Sequence, residues 1–289
     1  MKLTIDQLRK VKGIGEKTIE RIIEQYAEPS VYDTSYKPYE AHELDYRDEN
    51  NWLMYGDCLE RMREIPDGSV DMIMADVPYQ TTSCHWDSMI PLEPMWALIK
   101  RVVKSNAAIV MTASQPFTSV LGSSNIAWLK YHWTWRKTRA TGHLNAKKMP
   151  MNNIEEVLVF YQNQCTYTPQ MESGEPYTID CKTKGTELYG KQAPVLFENK
   201  GTRYPTRVIE IKSKSNLYNK PVHPTQKPVS LIEYLIRTYT NESETVLDFT
   251  FGSGTTGVAC RNLNRKFIGI ELDENYYKLG RDRILNGDK

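Results

Sequence analysis

Apolar and polar positions alternate along the chain in two rhythms. Short apolar runs of strand length are separated by longer segments in which apolar residues recur every three or four positions. The first rhythm is typical of strands and the second of amphipathic helices. The predicted strands cover residues 51–55, 70–75, 107–112, 154–161, 245–249 and 267–271. The predicted helices cover residues 58–64, 92–104, 228–239, 255–263 and 275–285.

This alternation of strands with helices favours an α/β fold. A strand, a helix and a second parallel strand form the repeating unit of sheets that carry helices on both faces. We therefore predict a mostly parallel, doubly wound sheet of the Rossmann-like kind. Residues 163–222 show little periodicity and are rich in Lys, Tyr, Thr, Gly and Pro, so we predict that they form an insertion.

The first 50 residues differ from the remainder. Residues 3–26 predict two short helices joined by a turn that contains Gly13 and Gly15. The turn resembles the helix-hairpin-helix motif, whose glycines let backbone N–H groups approach a DNA phosphate. An ordinary helical hairpin that packs on the main domain is the alternative. Residues 28–50 contain seven acids, two prolines and four tyrosines, which predicts an irregular linker.

Composition limits the classes of protein to consider. With 40% hydrophobic and 10% aromatic residues, the chain is too apolar to be disordered. Its 289 residues suffice for one large domain or two smaller ones. No apolar run approaches the roughly 18 residues of a membrane span. The five cysteines are scattered and form no CxxC pair, so we expect a reducing, cytoplasmic setting and no structural zinc.

The net charge of +1 hides a strong asymmetry. Residues 130–150 hold six basic side chains and no acid, and residues 182–227 have a net charge of +7, so the rest of the chain carries −12. Aromatic residues interleave with the first basic stretch or follow it, namely Tyr131, His132, Trp133, Trp135 and Tyr167. Basic side chains beside stacking platforms suit nucleic-acid phosphates and bases. Lysines on solvated loops are the alternative interpretation.

A glycine-rich turn late in the chain indicates a cofactor site. Gly252, Gly254 and Gly257 follow a predicted strand and open a predicted helix, and Glu271 ends the next strand 19 residues after Gly252. An acid at this offset binds ribose hydroxyls in Rossmann-type sites. A NAD-dependent dehydrogenase is therefore one hypothesis. Its glycine turn would be oddly placed, because such enzymes need further strands beyond it and only about 30 residues remain.

Four motifs together resemble those of β-class DNA amino-methyltransferases. GDC at 56–58 resembles a turn upstream of the catalytic motif, and DVPY at 76–79 resembles the catalytic motif DPPY. HPTQKP at 223–228 and DFTFGSGTT at 248–256 resemble the two elements of the cofactor half. The catalytic motif precedes the cofactor motif, which is the circularly permuted order of this class and accounts for the late glycine turn. The resemblance covers roughly residues 51–285.

The resemblance implies S-adenosylmethionine rather than NAD as the cofactor. By this analogy Glu271 binds the ribose, and Asp57 accepts a hydrogen bond from the adenine amino group. Asp248 would contact the amino acid portion, and Thr225 and Lys227 would reach the methionine carboxylate. The same motifs place further residues around the cofactor, namely Cys58, Asp76, Pro228, Phe249, Phe251, Gly252, Ser253, Gly254, Thr255, Thr256 and Leu272.

The resemblance assigns catalysis to residues 76–79. The exocyclic amino nitrogen of a base is a poor nucleophile, because its lone pair is delocalised into the ring. The Asp76 carboxylate would accept one of its protons in a hydrogen bond and the Val77 carbonyl the other, while Tyr79 would stack on the extruded base. The reaction would then be a direct displacement in which proximity and electrostatics dominate.

Val77 departs from the family, where proline is usual. The acceptor carbonyl survives this change, and Pro78 still biases Val77 toward an extended conformation. We therefore expect the catalytic geometry to persist. A catalytically silent DNA-binding protein is the alternative.

Asp76 favours adenine N6 as the target, because serine at this position more often accompanies cytosine N4. Cytosine N4 remains the alternative. The expected substrate is double-stranded DNA in a bacterial cell or a phage-infected host, since parts of the chain look like bacterial and phage orphan methylases. The predicted DNA contacts are Gly13, Gly15, Lys137, Arg139, Lys147 and Lys148.

The motifs also divide the chain into regions. A helix-hairpin-helix-like extension covers residues 1–27 and a linker covers 28–50. The catalytic half covers residues 51–162, the target-recognition region 163–222 and the cofactor half 223–289. Several β-class relatives are dimers, but the sequence reveals no interface for a homodimer.

Overall fold

The computed structural model describes residues 32–78, 90–181, 195–212 and 226–287. Its strands are β1 (Tyr46–Arg47), β2 (Asn51–Tyr55), β3 (Val70–Ala75), β4 (Val103–Ala113), β5 (Leu129–Thr141), β6 (Asn152–Phe160), β7 (Glu172–Ser173), β8 (Tyr177–Cys181), β9 (Val195–Asn199), β10 (Thr202–Arg203), β11 (Val208–Glu210), β12 (Thr245–Asp248) and β13 (Lys266–Glu271). Its α-helices are α1 (Cys58–Arg61), α2 (Leu92–Val102), α3 (Phe117–Ser124), α4 (Val229–Tyr239), α5 (Thr255–Asn262) and α6 (Glu274–Asn286).

One nine-stranded sheet organises these elements, in the order β1-β2-β13-β12-β3-β4-β6-β5-β11. The five strands from β2 to β4 in this order are mutually parallel. β6 runs antiparallel to both of its neighbours, β4 and β5. Two small two-stranded sheets, β7 with β10 and β8 with β9, lie outside it. The predicted mostly parallel α/β sheet is confirmed.

Helices cover both faces of this sheet, because its central strands are apolar on both sides. Residues of α1, α2 and α3 belong to the core on one face, together with Ile73 and Ile109. Residues of α4, α5 and α6 belong to the core on the other face, together with Met72 and Val110. Successive side chains of a strand point to opposite faces, so neighbours in sequence enter different cores. The sheet is therefore doubly wound.

The winding direction reverses between β12 and β3. From β3 the chain passes through α2 to β4 on one side, and from β12 it passes through α5 to β13 on the other. At such a switch point the loops after the two strands separate and leave a crevice at their carboxyl ends, where ligands of open α/β sheets bind. The fold thus places the ends of β3 and β12 beside one crevice.

Of the aromatic residues in the first basic stretch, Trp133 and Trp135 belong to the core, whereas Tyr131 is partly buried and His132 is exposed. They lie on β5, a strand that the sequence did not predict, and Trp133 and Trp135 are only 2% and 3% exposed. The indole N–H of Trp133 donates to the Tyr239 hydroxyl at 2.6 Å, and that of Trp135 donates to the Ile211 carbonyl at 2.9 Å. The interpretation of these two tryptophans as base-stacking platforms is therefore wrong.

The segments predicted to be irregular contact the main sheet or the short helical segment that follows β2. Within residues 163–222, β11 pairs in parallel with β5 at the sheet edge. Within the predicted linker, Lys37 lies 3.2 Å from the buried Glu64 carboxylate, and Arg61 contacts Asp45. The helix-hairpin-helix-like extension at 1–27 lies outside the described residues. Across the part of the chain that the structure describes, no helix has both the length and the apolar character to cross a membrane.

The third glycine of the glycine-rich turn serves packing. A Cβ added at Gly257 on α5 would lie 2.6 Å from the Ile284 side chain of α6 and 2.8 Å from the Phe267 ring of β13. Carbon atoms do not approach this closely without displacement. Gly257 therefore lets α5 lie close against both elements, which brings the first turn of α5 to the crevice.

We expect Gly257→Ala to destabilise the protein by about 1–3 kcal/mol, because the added methyl overpacks this contact. Ile284→Ala removes the opposing atoms, so the double variant should be more stable than the sum of the two single losses by about 0.5 kcal/mol or more. Urea unfolding of the four proteins measures this coupling. Strict additivity would contradict the assigned contact.

Candidate active site

Four acids meet at the carboxyl edge of the parallel strands. Asp248 and Glu271 are the last residues of β12 and β13, and Asp76 follows β3 directly. Asp57 stands two residues after the end of β2. Because these strands are parallel, their carboxyl ends share one edge. The structure thus brings together four of the acids that the sequence analysis assigned to the site.

The turn after β12 adopts a conformation that depends on glycine. Gly254 has a φ of +78°, and a Cβ there would lie 2.8 Å from the Gly280 carbonyl oxygen. Both the backbone conformation and the close approach of α6 therefore require glycine. At Gly252, by contrast, a Cβ would meet no atom closer than 4.0 Å. That side of the turn is therefore open.

Glu271 ties the turn to the end of the neighbouring strand. Its Oε2 accepts from the Gly252 N–H at 2.8 Å, and its Oε1 accepts from the Asp273 N–H at 2.8 Å. Burial raises the pKa of this carboxyl, and the two backbone hydrogen bonds oppose that rise. Each oxygen retains a second lone pair, so the carboxylate can still accept from hydroxyl groups of a ligand.

Asp57 caps α1 at the same edge. Its Oδ1 accepts from the backbone N–H groups of Leu59 at 2.9 Å and Glu60 at 3.2 Å, as N-cap residues do. The Gly56 N–H donates to the Glu271 carbonyl at 2.9 Å. The cap therefore fixes Asp57 next to Glu271.

Asp248 is the most enclosed of the four acids, at 3% exposure. It accepts from the Thr256 hydroxyl at 2.6 Å and from the Thr250 N–H at 3.1 Å. Burial raises the pKa of this carboxyl to about 7, with further contributions from the charges of Asp76 and Glu271. Asp248 therefore holds its proton at a much higher pH than an ordinary aspartate does.

Asp76 is partly accessible, with a side chain 32% exposed. Lys227 donates to its Oδ2 at 2.6 Å, and the Thr112 hydroxyl of β4 donates to its Oδ1. The Thr250 hydroxyl also donates to the Asp76 main-chain carbonyl, at 3.3 Å, which links the loop after β3 to the glycine turn. Both carboxylate oxygens are thus oriented at the mouth of the crevice.

Lys227 lies just before α4 and is 9% exposed. Its ammonium stands between Asp76, at 2.6 Å, and Glu155 of β6, at 3.5 Å. Burial disfavours the charged form, but the two carboxylates outweigh burial and raise the pKa of Lys227. The lysine is therefore fully charged at neutral pH.

Several other predicted site residues support the site from the core. The Phe251 ring packs against Phe267 and Tyr277, and Phe249 is 1% exposed, so only their backbones can border a cofactor. Val77 is 3% exposed within the core. The remaining buried residues of the predicted site are Cys58, Pro228, Ser253, Thr255 and Thr256, whereas Leu272 is 58% exposed and Pro78 is partly buried. Tyr79, Thr225, Gly13 and Gly15 lie outside the described residues.

Thr112 and Glu155 belong to the site, although the sequence analysis did not select them. Thr112 is a hydroxyl residue within a buried apolar run. This polar position in an apolar strand was the only indication of its role in the sequence. Glu155 lies near the beginning of a predicted apolar strand whose position relative to the site the sequence did not indicate. Because β6 is antiparallel to β4, with Ala113 paired to Glu156, the beginning of β6 lies at the catalytic edge.

The predicted DNA-contacting basic residues separate into two groups. The Lys137 ammonium lies 3.0 Å from Glu155, in a pair where both side chains are about 15% exposed. Arg139, Lys147 and Lys148 lie on the hairpin that joins β5 to β6 and are exposed. Lys137 is therefore part of the charge network behind Asp76, and the other three basic residues face solvent.

The raised pKa of Asp248 predicts a dependence of stability on pH. Between its usual value of 3.8 and about 7, the folded state keeps a proton that the unfolded state has lost, so stability falls as the pH rises through this window. Asp248→Asn has the same shape and cannot ionise. Between pH 5 and pH 8 the native protein should lose roughly 2–3 kcal/mol relative to the variant.

Urea unfolding of both proteins at several pH values, without cofactor, measures this difference. Parallel curves for the two proteins would place the titrating group elsewhere.

Known proteins share both the sequence pattern and the fold. The sequence profile of the DNA methylase family matches residues 70–282. The DNA adenine methyltransferase YhdJ of Escherichia coli (strain K12) is 28% identical over 256 residues, which span 83% of this chain and 84% of YhdJ.

Solved structures agree with this match. The M1.HpyAVI–SAM complex is 25% identical with a TM-score of 0.57, covering 82% of this chain and 99% of that chain. The cytosine-N4-specific PvuII DNA methyltransferase shares the fold, with 17% identity, a TM-score of 0.59, and coverage of 84% of this chain and 95% of its own. These similarities favour methyl transfer over the dehydrogenase hypothesis. The chain belongs to the DNA methylase family, the amino-methyltransferases that act on N6 of adenine or N4 of cytosine in DNA.

Proposed function

We propose that the protein transfers a methyl group from S-adenosylmethionine to N6 of an adenine that has left the DNA duplex. The observation that carries this proposal is the position of Asp76, an accessible carboxylate beside the glycine turn at the switch point of the sheet. An acceptor for amino protons and a cofactor turn thereby share one crevice.

The residues at the turn fit S-adenosylmethionine. The Thr255 hydroxyl is buried and has no hydrogen-bond partner among the described residues, and the open side of Gly252 leaves room for a ligand. Glu271 would hold the ribose hydroxyls, and Asp57 would accept from the adenine amino group. M1.HpyAVI, which has the same fold, is described as a complex with SAM. When bound, this cofactor supplies an electrophilic methyl group on a sulfonium.

The side chains around Asp76 determine how the chain would treat the target amino group. Thr112 and Lys227 fix the two carboxylate oxygens, so the carboxylate is preorganised to accept a hydrogen bond. An accepted hydrogen bond raises the electron density on the amino nitrogen, and a fixed acceptor pays no reorganisation cost at the moment of reaction. The Val77 carbonyl is the second proposed acceptor, and Tyr79 the stacking partner.

Adenine is the proposed target base for two reasons. Asp76 stands at a position where serine more often accompanies cytosine methylation. YhdJ, which matches most of this chain, is named a DNA adenine methyltransferase. Cytosine N4 is the competing outcome, because a cytosine-N4-specific enzyme shares the same fold.

The hairpin that joins β5 and β6 forms the proposed DNA-contacting surface. Ala113, the last residue of β4, pairs with Glu156 of β6, and Glu156 pairs with Thr134 of β5. Both strands therefore continue past the end of β4 on the catalytic side. All residues from 138 to 154 are exposed and none is acidic. We call residues 138–154 the arm; its charge suits the phosphates next to the target base.

Plasmid DNA from a methylation-free host that expresses the protein should carry N6-methyladenine at one recurring sequence. Asp76→Ala should abolish the mark, because the amino group loses its acceptor, while a cooperative urea unfolding transition serves as the folding control. Modification-sensitive sequencing reads both base and site. N4-methylcytosine would select the alternative base, and undiminished methylation by Asp76→Ala would refute the role of this carboxylate.

Neutralising the arm should reduce the salt dependence of DNA binding. Changing Arg139, Lys147 and Lys148 to Gln should make the slope of log K against log salt shallower by about 2–3, because each lost phosphate contact removes nearly one released counterion. Cofactor binding should not change. Filter binding at several salt concentrations measures the slope.

A matched triple variant changes Lys100, Lys104 and Lys266 to Gln. These exposed lysines lie at the opposite, amino edge of the sheet, so their loss should leave the slope near that of the native protein. Equal slopes for the arm variant and the native protein would place the DNA surface elsewhere.

A further inference from the structure

Asp76 stands at the end of a line of four alternating charges. Its Oδ2 lies 2.6 Å from the Lys227 ammonium, which lies 3.5 Å from Glu155 Oε2. The other oxygen of Glu155 lies 3.0 Å from the Lys137 ammonium. The four formal charges cancel, so the line can lie in a partly buried region without an unpaired ion.

The contacts of Lys227 are unequal. The ammonium hydrogen-bonds to Asp76, whereas its contact with Glu155 is an ion pair too long for a good hydrogen bond. Glu155 Oε2 is itself buried and accepts no hydrogen bond from the described residues. A buried carboxylate oxygen with vacant lone pairs therefore stands beside an ammonium that is held by another acid.

This arrangement affects how strongly the Asp76 carboxylate can accept a hydrogen bond. To assist methyl transfer, its carboxylate must accept a hydrogen bond from the target amino group. An ammonium in direct contact withdraws electron density and makes the carboxylate a weaker acceptor. Lys227 cannot simply be released, because an unpaired buried ammonium is costly. The loosening of one contact therefore needs a second acid within reach.

We propose that Glu155 is a positioning residue that takes over the Lys227 ammonium when Asp76 engages the target amino group. The proposal rests on the proposed function of Asp76. The transfer requires a displacement of only about 0.7 Å, the difference between the present separation of 3.5 Å and a charge-assisted hydrogen bond of about 2.8 Å. No bond other than hydrogen bonds forms or breaks, and Lys227 stays charged in both positions.

The groups that face this line come from several elements. Asp76 follows β3, Glu155 lies on β6 and Lys137 on β5, while Asp248 at the end of β12 is close enough to interact with Asp76. Glu156, the next residue on β6, points to the other face of the sheet, where it accepts from the Thr118 hydroxyl at 3.2 Å. It is an acid of equal charge on the same strand, outside the line.

The test compares Glu155→Gln, Glu155→Asp and Glu156→Gln with the native protein, using tritiated S-adenosylmethionine and a plasmid duplex. Glu155→Gln should lower kcat about tenfold, corresponding to 1.4 kcal/mol in the barrier, with the KM values for cofactor and DNA nearly unchanged. Glu155→Asp keeps the charge but withdraws it by one methylene, so its kcat should lie between those of Glu155→Gln and the native protein, about threefold below the native value. Glu156→Gln should behave as the native protein.

Two results would overturn the proposal. One is a native kcat for Glu155→Gln. The other is a loss of activity in Glu155→Gln that appears mainly in KM and is not recovered by Glu155→Asp. If Glu155→Gln does not fold, Glu155→Asp decides: the carboxylate, withdrawn by one methylene, should lower kcat severalfold at constant KM, and a native kcat would contradict the proposal. Two controls separate the levels: no methyl transfer by the native protein would refute the proposed function, and a native kcat for Asp76→Ala would refute the acceptor role of Asp76, whatever the Glu155 variants do.

Discussion

Four carboxyl groups lie close together at one edge of a parallel sheet, and the structure has to offset the repulsion between their charges. Parallel strands end together, so Asp57, Asp76, Asp248 and Glu271 are brought close by the topology. Each is accommodated differently. Asp57 caps a helix, Glu271 accepts backbone N–H groups, and Asp248 reaches a pKa of about 7 through burial. Only Asp76 is paired with a cation, Lys227, among the described residues.

The different environments of the four acids fit the chemistry of amino-group methylation. Acids that hold a cofactor need fixed positions, which helix caps and backbone hydrogen bonds provide. An acid that must accept from a substrate needs exposure together with a fixed orientation, and Asp76 has both. The cation beside it cancels charge that would otherwise repel the neighbouring acids. Glu155 and Lys137 extend that compensation away from the crevice.

The sequence predicted the parts of this structure that depend on local pattern. The strands from β2 to β4 and from β12 to β13 appeared as apolar runs, and the motif order indicated the family and the positions of Asp76 and Glu271. The antiparallel placement of β6 depends on contacts between distant segments, so it left no local signal. For that reason Glu155 was missed, and Trp133 and Trp135, which lie on the unpredicted β5, were taken for surface residues although they are buried.

The central claim is that the Asp76 carboxylate accepts a hydrogen bond from the exocyclic nitrogen of a flipped adenine. A crystal structure of the protein with a non-reactive cofactor analogue and an unmethylated duplex would test it directly. The duplex should contain the sequence that the protein methylates. We predict that adenine N6 lies within about 3 Å of an Asp76 carboxylate oxygen, outside the base stack. An adenine that remains stacked, or whose N6 bonds to other groups while Asp76 keeps only its present partners, would contradict the account.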